Sequence, residues 1–186
     1  MQRSVVIMLI LKEKMKKQVQ GFMLVATGFV VLMMLSCKTS QSSAEQQRNA
    51  QEIEQYLQNS SFEIEHRWMQ PLRGNQISLI GNPNYIRMYS RDSLSIFLPY
   101  FGVRQFSGGY GSASGIEFTG KPKELQMTED KRGNQIITFS GTQQTEAYDF
   151  KITIYPNKNV QTFVRSNQRD NISYDGRIQE LDTTNE

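Results

Sequence analysis

The sequence predicts an all-β domain, an antiparallel β-sandwich or curved barrel-like sheet, with one short N-terminal helix. Three observations carry this. About eight segments alternate apolar and polar residues with period two. The intervals between them hold turn residues, as in "DKRGN" and "YPNKN", which suit hairpins and antiparallel neighbours. No helical period interrupts the series, so the βαβ arrangement of a parallel sheet is not expected.

The chain opens on a different chemistry. Lys12, Lys14, Lys16 and Lys17 precede an uncharged run that ends at Ser36 and Cys37, the pattern of a secretory signal over residues 1–36. The apolar stretch Gly21 to Leu35 reaches about 22 Å at helical rise, short of the bilayer core of about 30 Å, so a cleaved signal is expected in place of a permanent span. "MKKQVQGFMLV" from Met15 is a complete signal opening by itself, and Met15 is the expected start. "MLSC" resembles the lipobox of bacterial lipoproteins, with Met34 where leucine is usual. That resemblance implies lipidation of Cys37, the single cysteine, and a membrane partner reached through its acyl chains, palmitate among them. Lys38 follows where an inner-membrane retention signal would have aspartate, which favours the outer membrane, on its periplasmic or surface face.

Removal of the signal also removes the basic character. Residues 1–36 hold five of the 21 Lys and Arg but one of the 18 Asp and Glu, which leaves 16 basic against 17 acidic residues. A nucleic-acid partner is not expected from such a balance.

Residues 37–49 read as the lipidated cysteine, a polar tether and the start of a helix. Ser43 and Gln46 form a capping-box pattern, and Ala50, Ile53 and Leu57 recur on one face up to about Asn59. A single β-rich domain is expected over residues 50–182, with 183–186 as a tail. Its strands are "FEIEHRW", "YIRMYS", "SLSIFL", "GIEF", "QIITFS", "AYDFKITIY", "NVQTFV" and "NISYDGRI". In "AYDFKITIY" the buried face is Tyr148, Phe150, Ile152 and Ile154, against Asp149, Lys151 and Thr153. In "FEIEHRW" the inner face is read as Phe62, Ile64, His66 and Trp68.

Catalytic groups are scarce. His66 is the single imidazole, so a multi-histidine metal site is excluded and neither a metal nor a cofactor is expected. "GSASG" has Ala113 at the centre where a nucleophile elbow needs serine, and "GGYGSASG" lacks the lysine of a phosphate loop. Glu63 with Glu65, and Glu129 with Asp130, fit a solvent face and a turn. Arg165, Arg169 and Arg177, interleaved with Asp170 and Asp175, read as an exposed mixed-charge sheet.

The span "LPYFGVRQFSGGYGSASGIEF" stands out for its rings and glycines. Pro99 and Gly102 fit a strand terminus or bulge, with Tyr100 or Phe101 turned into the core. Beyond it, Phe106 and Tyr110 lie on a Gly- and Ser-rich segment above the β scaffold. Tyr100, Phe101, Phe106 and Tyr110 are therefore the candidate ligand-binding residues.

"LPYFG" at 98–102, the interval leading to "GIEF" at 115–118, and "RDNISYDGRI" at 169–178 resemble the lipoprotein domain family of unknown function 4251, of Bacteroidetes-type Gram-negative bacteria. The resemblance runs from about Gln51 to Leu181. It implies an extracytoplasmic lipoprotein with a mostly β domain, and it transfers no catalytic residue, substrate or cofactor. The favoured function is a non-enzymatic module that binds a small ligand or an envelope protein. The alternatives are an envelope hydrolase assembled from serine, His66 or carboxylates, and a structural role in envelope assembly.

Overall fold

The computed structural model describes residues 43–102 and 115–182. A helix, α1 (Ser43–Asn59), leads into ten strands: β1 (Phe62–Pro71), β2 (Ile77–Ser78), β3 (Tyr85–Ser90), β4 (Ser93–Pro99), β5 (Gly115–Gly120), β6 (Lys123–Glu129), β7 (Gln135–Gln143), β8 (Glu146–Ile154), β9 (Asn159–Ser166) and β10 (Ile172–Gln179). They form one antiparallel sheet in the order β5-β4-β3-β1-β10-β9-β8-β7-β6, with β2 paired to β1 off this path. The all-β expectation holds, and the curved sheet is the form it takes; the sheet does not close into a barrel.

Alternation along the nine-strand path makes its two ends, β5 and β6, run in the same direction. Lys121 and Pro122 alone join them, so they act as one bent strand whose first part pairs with β4 and whose second part pairs with β7. The sheet curls until its halves meet beside that bend. A Cβ on Gly141 of β7 would lie 2.7 Å from Cε2 of Phe118 on β5, so the missing side chain is what admits the Phe118 ring.

The inner face of the curl is the core. On β8 Tyr148, Phe150, Ile152 and Ile154 are all buried, as the alternation requires, and the Phe150 ring stacks on Phe139 at 4.8 Å. The strand β6 escapes sequence reading for a physical reason. It is a sheet edge with most of its residues exposed, and a bulge between Lys123 and Gln126 breaks its period.

Helix α1 begins where the Ser43 pattern places it and ends on a Schellman-type turn. Ser60 takes the left-handed conformation at φ 49°, its amide donates to the Leu57 carbonyl, and the Ser61 amide donates to that of Tyr56. The apolar stripe docks on the domain: Ile53 is buried, with Tyr56 and Leu57 packed beside it. The Lys158 ammonium, in the β8–β9 turn, pairs with Glu52 and lies 5.4 Å from the centre of the Tyr56 ring.

One strand departs from its expected face. Phe62, Ile64 and His66 point inward on β1, but Trp68 points outward and is 40% exposed, while Met69 takes the inner position. A bulge between His66 and Trp68 sets two residues, Arg67 and Trp68, against one on β10, and the parity flips there. Opposite the bulge, Gly176 pairs with His66. A methyl group on Gly176 would meet the β1 backbone, at 2.6 Å from the His66 Cα and 2.8 Å from the Glu65 carbonyl carbon, with the Glu65 oxygen nearer still.

Candidate functional site

The candidate aromatic span leaves the sheet at the end of β4 and returns at the start of β5, and a buried ion pair holds both points. The guanidinium of Arg169, just before β10, donates from Nε and Nη2 to the two carboxylate oxygens of Glu146 at 2.7 and 2.9 Å, and from Nη1 to the Gly115 carbonyl at 2.8 Å. Ser166 donates its hydroxyl to the same Glu146 at 2.5 Å. The Tyr100 ring covers the guanidinium at 5.0 Å, with its own hydroxyl 3.4 Å from the Asp170 carbonyl. Tyr174 completes the frame, donating to the Pro99 carbonyl at 2.7 Å. Segments distant in the chain thus meet on one bidentate contact.

This arrangement corrects the reading of Arg169 as part of an exposed mixed-charge sheet. Arg169 is buried and committed to Glu146 and Gly115, whereas Arg165 and Arg177 are exposed as expected. The pairing decides the difference: a guanidinium desolvated here is stable only because Glu146, from another strand, is desolvated with it. Glu63, expected in solvent, is also nearly buried, accepting bonds from Arg87 at 2.6 Å and Gln179 at 3.2 Å. Glu65 stays exposed.

The electrostatics of the two interior polar groups limit their chemistry. Burial pushes the Glu146 carboxyl up, but hydrogen bonds from Arg169, Ser166 and Tyr148 outweigh it and hold the group below the usual carboxylate range. A carboxylate kept charged in this way does not donate a proton near neutrality. His66 is buried on β1, with Nε2 2.9 Å from the Thr162 hydroxyl and its ring 5.4 Å from that of Tyr174. Burial, opposed in part by Asn84, lowers its pKa to about 3. The Asn84 side chain meanwhile bonds the His66 backbone on both sides, accepting from N at 2.7 Å and donating to O at 2.9 Å. Among the described residues His66 Nδ1 has no hydrogen-bond partner. Among the described residues no group of three or more His, Cys, Asp or Glu is placed to hold a metal ion.

Tyr100 is half-buried against the core and Phe101 is 64% exposed at the rim. Phe106, Tyr110 and the lipidation candidate Cys37 lie outside the described residues. Sequence reasoning missed Glu146, Ser166 and Tyr148, because a pairing across separate strands leaves no local mark.

The profile of a domain of unknown function, DUF4251, matches residues 44–178. The chain belongs to this family. The motif stretch 169–178 now has a structural content: Arg169 staples the rim, Tyr174 bonds the end of β4, and Gly176 admits the β1 backbone. Among solved structures, that of a DUF4251 family protein from Bacteroides eggerthii DSM 20697 is similar, with a TM-score of 0.54 at 15% identity, covering 71% of this chain and 87% of that one. That likeness shows the fold. No curated protein matches.

Proposed function

We propose that this DUF4251 chain is an envelope lipoprotein, held at the outer membrane through acyl chains on Cys37, whose β domain binds a small ligand or an envelope partner without catalysis. The contact region is the rim at Tyr100 and Phe101, and Phe106 and Tyr110 belong to the same reading. The observation that carries it is the exposure of Phe101, at 64%, next to a Tyr100 clamped over the buried Arg169–Glu146 pair. A large apolar ring set in solvent beside a rigid base suits contact with another molecule, since loops on a fixed scaffold are where binding is concentrated. Anchoring rests on the resemblance of "MLSC" to a lipobox and on the small residue before the cysteine. Of the groups open to the hydrolase alternative, the two interior ones lend it no support, since burial holds His66 neutral beside Thr162 and the Glu146 carboxylate is kept charged and committed to Arg169.

Native mass spectrometry of the full chain, extracted from producing cells in mild detergent, tests both parts. Acyl mass lost in Cys37→Ser is expected, together with a bound mass lost in Phe101→Ser at unchanged stability. A protein without acyl mass overturns the anchor. A bound species that persists in Phe101→Ser, or no bound species at all, overturns the site.

A further inference from the structure

The bulge in β1 does more than interrupt a pattern. It turns the single tryptophan of the chain out of the core and onto the convex face of the sheet. Burying a tryptophan is among the larger favourable terms open to a core, so an outward Trp68 gives up stability that a regular strand would have kept. Trp68 stands in a cleft of about 360 Å³ whose wall includes Arg67, Tyr155, Asn159, Asp175 and Arg177. Gly176, packed against the β1 backbone, lies in the same wall. Arg67 and Arg177 also border a second cleft, of about 290 Å³, with Glu65 and Lys158. Lys158 is paired with Glu52, whereas the guanidinium groups of Arg67 and Arg177 make no hydrogen bond or ion pair with any described residue.

We infer that this cleft binds an acidic saccharide, a uronate-type sugar whose pyranose ring lies on Trp68 and whose carboxylate is held by Arg67 and Arg177. The chemistry of the wall selects this class. A flat indole offers its face to the CH groups of a pyranose ring. Asn159 and Asp175 supply an amide and a carboxylate, and planar groups of this kind exchange paired hydrogen bonds with neighbouring hydroxyls. Guanidinium groups left unpaired at the surface match a carboxylate in a fork geometry. A purely apolar ligand would strand these polar groups in a desolvated cleft, which opposes its binding. The second cleft, sharing both arginines, gives room for a further ring of an oligosaccharide. The site lies on the outer face of β1 and β10, separate from the rim at Tyr100 and Phe101, and stands independently of the function proposed there.

The indole is its own reporter, since no other tryptophan contributes to emission. The full chain is titrated in detergent with tri-galacturonate, with a neutral cello-oligosaccharide and with a nucleoside monophosphate, at constant ionic strength. The expected result is a saturable change in Trp68 emission with tri-galacturonate, an affinity about ten-fold or more lower in Arg67→Gln and in Arg177→Gln, and no change in Phe101→Ser. Calorimetry on Trp68→Ala, with an unaltered urea midpoint, should give no heat of binding. The inference is overturned if tri-galacturonate leaves the emission unchanged at millimolar concentration, if the neutral sugar or the nucleotide binds as tightly, or if both arginine variants retain full affinity.

Discussion

Replacing Gly176 by alanine tests the central packing event of the fold, the close approach of β10 to the β1 bulge. The new methyl would sit 2.6 Å from the His66 Cα and 2.8 Å from the Glu65 carbonyl carbon, where carbon atoms normally rest at about 3.5–4.0 Å. Both obstacles are backbone, so no side chain can swing away. The strands must part by about 1 Å to restore contact distance, which strains the pairing on each side of His66↔Gly176. Overpacking of this kind costs about 1–3 kcal/mol, and each ladder hydrogen bond weakened adds up to about 1 kcal/mol. We expect a loss of about 3 kcal/mol, a large share of the about 5–15 kcal/mol that a domain has. Urea unfolding followed by far-ultraviolet circular dichroism should show the midpoint falling by about 2 M at unchanged slope. Gly133→Ala is the control: its φ of 78° is strained for alanine but nothing lies within 4 Å, so it should lose only about 1 kcal/mol. A Gly176→Ala protein within about 0.5 kcal/mol of the parent, or one less affected than Gly133→Ala, would refute the steric reasoning.

Arg169→Met leaves the Glu146 carboxylate buried without its partner and should cost about 3–5 kcal/mol, and the double variant with Glu146→Gln should be more stable than Arg169→Met alone. Because Glu146 titrates below its ordinary 4.5 in the fold, its stabilising contribution is complete above that pH and is lost as the pH falls through the lowered folded value; Glu146→Gln should lose this acid dependence in urea unfolding. His66 acts in a higher window. Its pKa is 6.5 when unfolded and about 3 when folded, so between these values the unfolded chain takes up a proton that the fold refuses, and stability falls with falling pH. The loss between pH 6 and pH 5 should be about 1 kcal/mol, and His66→Gln should flatten that interval in urea titrations.

Much of this architecture was legible along the chain. The inward face of β8, the helix stripe at Ile53 and Leu57, and the turn chemistry of the hairpins follow from period and residue type, which are properties of neighbours in sequence. Where the reading failed, a partner from elsewhere intervened. Trp68 alternates correctly with His66 in the sequence, yet the bulge against Gly176 reverses its face. Arg169 sits among charges that read as a solvated sheet, yet Glu146 draws it inside. The edge strand β6 carries little apolar contrast, because an exposed edge does not require it.

By itself the sequence determined the all-β class, the position of most strands along the chain, and the supply of reactive groups, since alternation, turns and residue counts are local quantities. Tertiary structure alone decided the register of β1 on β10, the burial of Arg169 with Glu146, and the outward turn of Trp68. These depend on atoms brought together across the sheet, and the free energy of a bulge or a buried charge is set by what lies opposite it.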